Sequence, residues 1–477
     1  SLFNDGGTVR AAQSFLTNQQ EQSLLSFLGR AAYSYKKRYM AELSIRSDGS
    51  SVFGKDVRWG TFPSVGLGWA FSEEAFMKKL WWLSFGKVRA SWGKSGQKFQ
   101  EPYLALGIMS ESNVFNGSLG LIPQDMANPK LTWEESDQYD LGLDLQMLDY
   151  RLKLKLDYYY KYSSKLLMQS YLPGNVFLAS RMWDNASAIS NEGIEFEASY
   201  DIIRNKKWNW TVGFNLSHNR NMLRKTYNGE DLNDKVLGRP VYGIYTYKDE
   251  GIVQREEDIP MYRNASGKLM PLYFQSANNP LRVGGRKIKD QNYDGVIDDK
   301  DLYYAGSTLP AAYGGLNSHL EWNGFSLDLL FSYTLGRKVM NMVKNSAFSF
   351  TKEFGVVMNK FNIHDFWTTN NRNAKYPSLE FADKDYIGQF DGNVDSNIET
   401  ISFLRLKQLV LGYKFPQNWL KKTFIKEANL YLSGENLFLL TNYSGVDPEV
   451  IDPYTGKDDG REYPLNRKIT LGVNLKF

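Results

Sequence analysis

No cysteine occurs among the 477 residues, which excludes both a disulfide framework and a thiolate metal site. Histidine is nearly as scarce: His218, His319 and His364 lie far apart with no nucleophile or carboxylate motif around them, so neither a catalytic nor a zinc role is expected. No apolar run reaches the roughly 18 residues of a spanning helix, and the mean hydropathy is only −0.46. An excess of one charge is lacking too. The 57 Lys and Arg face 53 Asp and Glu, interspersed and without a basic block, which argues against a nucleic-acid partner. The opening Ser1-Leu2-Phe3-Asn4-Asp5-Gly6-Gly7 has neither the charged nor the apolar region of a signal peptide.

Aromatic residues, in contrast, make up 15% of the chain, a load that suits rings held half in lipid at two membrane interfaces. The last nine residues, Ile469 to Phe477, alternate strictly between apolar and polar and stop on an aromatic. One face greasy and one wet is the signature of a strand between lipid and an aqueous lumen. The same alternation runs through Arg151 to Tyr158, Trp208 to Ser217, Ile194 to Tyr200 and Phe325 to Tyr333. A helix would scatter the charges of 151–158 around every side, so these segments read as strands. A single one would fit a soluble β-sandwich; repeated long ones with aromatic ends predict an all-β, transmembrane antiparallel β-barrel.

The pattern predicts thirteen strands, near 21–35, 39–47, 60–71, 84–95, 136–148, 151–163, 190–202, 206–219, 310–321, 325–335, 400–413, 427–436 and 467–477. Short connections alternate with long ones, the long ones falling near 48–59, 96–135, 164–189, 220–309, 336–399 and 437–466. Barrels of this kind have short periplasmic turns and long extracellular loops, so the C-terminus is expected in the periplasm and residues 1–20 in an extracellular loop. A complete barrel has an even strand count. An odd count that begins on the outer side therefore predicts a partial barrel wall, residues 1–477, completed by further strands from elsewhere, because open edges in lipid leave unpaired N–H and C=O groups.

Several short segments go further. Arg46-Ser47-Asp48-Gly49-Ser50-Ser51-Val52-Phe53-Gly54 with Arg58-Trp59-Gly60-Thr61-Phe62-Pro63-Ser64, then Asn128-Pro129-Lys130-Leu131-Thr132-Trp133-Glu134, Asn191-Glu192-Gly193-Ile194-Glu195, Phe403-Leu404-Arg405-Leu406-Lys407 and Asp447-Pro448-Glu449 occur in this order. The chain thereby resembles the SusC-like (RagA-like) branch of the TonB-dependent outer-membrane transporters of Bacteroidetes. The resemblance implies the C-terminal thirteen or so strands of a 22-stranded barrel. It also implies a plug domain and a TonB-contacting segment, neither of which this chain shows. It further implies a SusD-like surface lipoprotein as lid, and TonB-driven uptake of an oligosaccharide or oligopeptide. The rival expectation is a passive porin-like or structural barrel.

One loop has chemistry of its own. In Asp290-Gln291-Asn292-Tyr293-Asp294-Gly295-Val296-Ile297-Asp298-Asp299-Lys300-Asp301, oxygen side chains stand at positions one, three, five, nine and twelve, with glycine at six for the sharp turn. This spacing predicts Ca²⁺ held by Asp290, Asn292, Asp294, Asp298, Asp301 and the Val296 carbonyl. The plain alternative is a hydrated acidic turn. The last ligand is Asp where an EF-hand has Glu, and no paired amphipathic helices flank the loop, so the ion's expected task is to brace the long 220–309 segment. Glu73-Glu74 and Glu134-Glu135 are paired carboxylates of the sort that glycosidases use. Neighbours on a strand point to opposite faces, so no enzyme is expected.

Overall fold

A computed structural model describes residues 4–5, 8–9, 21–99, 101, 103–115, 118–173, 179, 181–232, 235–343, 363–382 and 393–477. Thirteen long strands form one antiparallel meander in which each pairs with its neighbours in sequence. They are β1 (Leu24–Tyr35), β2 (Tyr39–Ser50), β3 (Trp59–Trp69), β4 (Leu83–Gln97), β5 (Glu134–Met147), β6 (Leu152–Tyr171) and β7 (Arg181–Arg204). Then follow β8 (Trp208–Lys225), β9 (Ala312–Trp322), β10 (Phe325–Asn341), β11 (Ile398–Lys414), β12 (Glu427–Thr441) and β13 (Lys468–Lys476). All thirteen expected strands are present. Among the described residues, β1 and β13 each keep one edge unpaired. The expectation for residues 1–20 falls largely outside the described residues.

The register carries the alternation from strand to strand. Val88, Leu143, Leu156, Phe196 and Leu216 stand opposite one another in successive strands. One residue away, on the other face, Lys87, Asp144, Lys155, Glu197 and Asn215 do the same. A slip of one residue would exchange these rows, so the register is fixed by the two solvents. On the apolar face, rings cluster at both ends. Tyr139 and Tyr160 lie 6.4 Å apart at the long-loop end, and Trp208 stacks on Trp322 at 5.1 Å at the short-turn end. From Leu152 to Tyr160 the strand rises roughly 26 Å, about 20 Å of depth at the tilt usual for such barrels. The turns are tight: Asn323 and Gly324 both take positive φ, 45° and 90°, as a two-residue hairpin requires.

The long connections are shorter than the sequence suggests. Residues 164–189, expected as a loop, are mostly strand, because β6 runs on to Tyr171 and β7 begins at Arg181. Likewise β8, β10 and β12 extend to Lys225, Asn341 and Thr441, into the spans 220–309, 336–399 and 437–466. Above the membrane the alternation no longer has two solvents to obey, yet the backbone ladder continues, with bulges near Ser163 and Leu166. The span 96–135 contains a hairpin of its own, Ile108–Phe115 with Ser118–Met126.

The buried apolar clusters gather at the long-loop end, in the loops and in the strand ends beside them. One cluster joins Val52, Phe53, Phe62, Phe99, Leu104, Leu131 and Trp133. A second joins Tyr247, Leu272, Phe274, Leu281, Ile288, Ile297 and Val394, and a third Val339, Ile401, Tyr443 and Ile451.

Candidate functional site: the charged inner face and the folded loops

The polar face of the wall is a lattice of paired charges. Arg89 on β4 reaches Asp144 on β5 at 3.0 Å and Asp157 on β6 at 2.7 Å, and Lys155 meets Glu197 at 3.1 Å. Leu152, Leu154, Leu156, Trp210 and Phe214 take the opposite parity. So do Lys94 and Glu135, which lie beyond the Tyr139 ring toward the long-loop end, where Lys94 and Lys165 share Glu135 at 3.1 and 2.5 Å. The face expected to line a lumen is therefore wet and self-neutralised. The paired glutamates are structural: Glu134 accepts from the Leu167 N–H at 2.7 Å, and Glu74 accepts from Tyr39 Oη at 2.7 Å and Trp69 Nε1 at 3.3 Å. Residues 71–73 form a 3₁₀ turn rather than part of a strand.

At the long-loop end, segments far apart in sequence come together. Val52-Phe53-Gly54 packs beneath Pro129-Lys130-Leu131-Thr132-Trp133. A Cβ on Gly54 would sit 1.9 Å from the Pro129 carbonyl oxygen, so only glycine allows the approach. Trp133 Nε1 donates to the Arg58 carbonyl at 2.9 Å, and the Asn128 amide donates to the Trp183 carbonyl at 2.8 Å. The Asn185 side chain accepts from the Thr132 N–H and donates to the Thr132 carbonyl, at 2.8 and 2.9 Å. The first loop is thus locked to the base of β5 and to the upper part of β7.

A second lock joins β11 to the last long loop. Arg405 and Asp447 are both buried and paired at 2.5 Å. Arg405 also meets Glu449, which Lys407 holds at 2.7 Å. Asp447 accepts in addition from the Glu449 and Leu465 N–H groups, at 3.0 and 3.1 Å, tying the two ends of 447–465 together. Beside it, the guanidinium of Arg337 on β10 donates to the carbonyls of Thr308, Ile451 and Asp452 at 3.1–3.3 Å. Arg337 carries no mark in the sequence, because its acceptors are backbone oxygens of distant loops, two of them more than a hundred residues away.

The 226–311 connection folds around the second apolar cluster and is fastened to residues 393–397. Arg286 pairs with Asp249 at 2.6 Å while both are buried, and Lys248 pairs with Asp395 at 2.6 Å. Burial would raise the Asp395 carboxyl, but Lys248, the Tyr303 hydroxyl and the Asp249 N–H outweigh it and hold it below the usual range. The twelve-residue acidic loop is part of this unit through Ile297, which is completely buried. Gly295 has φ +89°, as its place in the loop required, and a Cβ there would strike the Tyr262 ring.

Of the six expected metal ligands, Asp290 and Asp301 point inward. Asp290 accepts from the Tyr293 and Gly295 N–H groups at 2.6 and 2.9 Å. Asp301, fully buried, accepts from Gln291 at 2.7 Å and Asp298 at 2.9 Å. Burial, with Asp290 adding to it, pushes the Asp301 carboxyl up despite these donors. Asn292 and Asp294 are exposed and bonded to each other at 3.0 Å, and Lys300 lies 3.9 Å from Asp294 and 4.0 Å from Asp298. As the side chains stand, no three acidic or histidine groups among the described residues converge on one ion.

Wall, register and loop locks together define one branch of outer-membrane protein. The chain belongs to the TonB-dependent receptor-like β-barrel family, whose model matches residues 2–251. Among curated proteins it is similar to TonB-dependent receptor P26 of Formosa agariphila, 31% identical over 500 residues that take in 100% of this chain and 48% of that protein. It is also similar to TonB-dependent receptor SusC of Bacteroides thetaiotaomicron, 28% identical over 95% of this chain and 44% of that one. Among solved structures, the RagAB peptide transporter superposes with a TM-score of 0.76 at 25% identity, covering 96% of this chain and 48% of its counterpart. The chain spans about half the length of these relatives.

Proposed function

We propose that this chain supplies barrel wall and loops to an energised importer of an oligomeric nutrient, an oligosaccharide or oligopeptide, across the outer membrane. The observation that carries the reading is the loop end: three apolar clusters and two buried arginine–aspartate pairs, Arg405–Asp447 and Arg286–Asp249, make it a folded platform. A diffusion pore needs only short rims, whereas a lid needs a rigid seat. A SusD-like surface lipoprotein is the lid this seat suits, and TonB would act through a plug enclosed by this wall and the remaining strands. The paired charges of the inner face suit hydrated cargo. The RagAB match favours peptide and the SusC match is neutral on cargo.

The test is uptake by intact cells of labelled oligosaccharides and oligopeptides, with TonB present and then removed. Import that stops without TonB supports the reading. Import that continues identifies the passive barrel instead.

Within this reading, the 290–301 loop is a calcium brace in the outer platform. Supporting it are the spacing, the positive φ of Gly295 and the buried, like-charged Asp290 and Asp301, whose repulsion a divalent cation would relieve. Asp294 and Asp298 would turn inward from Lys300 to complete the oxygen set with Asn292 and the Val296 carbonyl. Calcium should slow proteolysis within 290–301 in the natural protein and not in Asp294→Ala, with the wall assembled in both. Equal cleavage with and without calcium identifies an acidic turn.

A further inference from the structure

The short-turn end of the wall carries a charge the rest of the chain does not. The connections 36–38, 70–82, 148–151, 205–207, 323–324 and 415–426 hold eleven Lys and Arg against three Asp and Glu, in a chain whose total is only +4. The excess is therefore concentrated at one rim and reversed elsewhere. At the same rim, on the apolar face, the rings of Trp208, Trp322, Phe325 and Tyr413 follow one another at 5.1, 6.0 and 4.5 Å.

Two adjoining cavities lie here. One, of about 460 Å³, is almost wholly apolar and runs below those rings between Leu320, Leu327, Leu411, Leu432 and Leu471. The other, of about 560 Å³, meets the first at Trp322, Phe325 and Tyr413, takes in Lys206 and Lys207 of the turn, and continues onto the inner face along Asn209, Glu321 and Asn429. Neither the Lys206 nor the Lys207 ammonium has an ion-pair partner among the described residues, whereas Lys414, on the inner face beside Asn429, is paired with Glu427 at 3.9 Å. Glu321, on the same wall, is turned to His319 at 3.4 Å. An apolar slot that opens beneath unpartnered ammonium groups has the layout of an anionic amphiphile.

We infer that this rim binds an anionic phospholipid, one acyl chain in the leucine-lined groove and the phosphate at the turn lysines Lys206 and Lys207. The chemistry selects the occupant. Aromatic rings favour the headgroup level of a bilayer, a lipid-facing groove excludes a water-soluble anion, and juxtamembrane lysines add attraction specific to net negative headgroups. A zwitterionic lipid would fill the groove equally well but leave the lysines without a net countercharge. Bound lipid would anchor the β7–β8 and β9–β10 turns at a fixed depth.

The test uses the protein purified intact from membranes and exchanged into detergent with equal phosphatidylglycerol and phosphatidylcholine, the retained lipid being read by native mass spectrometry. Phosphatidylglycerol should be retained preferentially. The preference should fall on the order of fivefold for each lysine neutralised, hence about twenty-five-fold in Lys206→Gln/Lys207→Gln, while Lys55→Gln at the other end leaves it unchanged. These turn lysines are exposed, so the variants keep the fold. Equal retention of both lipids overturns the proposal, as does a preference that survives the double substitution. Complete displacement of the lipid by glycerol phosphate also overturns it, because the groove would then contribute nothing.

Discussion

The wall and the loop end of this molecule are built by opposite rules. In the wall the large apolar side chains stay on the surface: Leu43, Leu67 and Leu471 are 57%, 57% and 70% exposed. At the long-loop end Leu131 and Ile297 in the loops, with Val339 and Ile401 at the strand ends packed beneath them, are sealed from solvent altogether. Lipid is a fluid that accommodates any apolar shape, whereas a close-packed interior penalises a misfit of one methylene. The wall therefore asks only that alternate residues be apolar, and the loops ask for particular side chains. Short segments that mark the resemblance, such as Val52-Phe53-Gly54, Leu131-Thr132-Trp133 and Asp447-Pro448-Glu449, accordingly lie in the loop locks and not in the lipid-facing rows.

The largest separation of the two regions is expected from the buried ion pair. Arg405→Ala leaves Asp447 buried without its partner, which costs about 3–5 kcal/mol. The cost should fall on the last loop: hydrogen exchange and proteolysis should rise across 442–467, while the β11–β12 ladder below Arg405 stays protected. If the whole wall loses protection together, the two regions are one cooperative unit and the contrast drawn above fails.

The wall has its own most sensitive position. Leu154 and Lys153 are neighbours on opposite faces of β6, opposite Ala198 and Ser199 of β7. Leu154→Arg should destabilise the assembled barrel by about 2–4 kcal/mol near the midplane, measured by urea unfolding in lipid vesicles, and Lys153→Arg should leave it unchanged. Equal cost at both sites would mean that the faces are not in different solvents.

These two regions were also unequally legible in the sequence. The strands can be read because each carries its own evidence: Arg151 to Tyr158 shows both solvents within eight residues. Their upper limits cannot, since above the membrane the alternation ends while pairing continues, which is why 164–189 reads as a loop and folds largely as strand. The glycine of the acidic loop was legible from its place in the spacing. The locks were not. Arg405 and Asp447 stand out as motif residues, yet nothing local says that they pair, and Arg337, Arg286 and Asp249 have partners that only the topology supplies. Ile297 was passed over because a single apolar residue inside an acidic run has no periodicity, although it ties that run to a core.

A smaller effect should distinguish the loops by pH. Burial, reinforced by Asp290, raises the Asp301 carboxyl above its unfolded value. A raised acid favours the folded loop while protonated, so local stability is intact below the unfolded pKa and declines as pH rises through the window up to the folded one. Without calcium, exchange in 290–301 should therefore accelerate relative to intrinsic rates as pH rises above the usual carboxylate range. Asp301→Asn should flatten that slope whatever it does to the absolute rate. A slope of the opposite sign would mean that the backbone donors, not burial, control the group.

The smallest effect is expected on the inner face of the wall. Lys155 and Glu197 meet at 3.1 Å across β6 and β7, but their side chains are 54% and 57% exposed. Water screens such a pair and both long side chains lose freedom in making it, so its worth is about 0–1 kcal/mol. Lys155→Ala, Glu197→Ala and the double substitution, taken as a cycle in the same vesicle unfolding assay, should give a coupling in that range that weakens with added salt. A coupling well above it, and insensitive to salt, would place the pair in a medium far less polar than water. The inner face would then be packed against protein along its whole height, and the contrast between a wet face and a lipid face would have to be redrawn as one between protein and lipid.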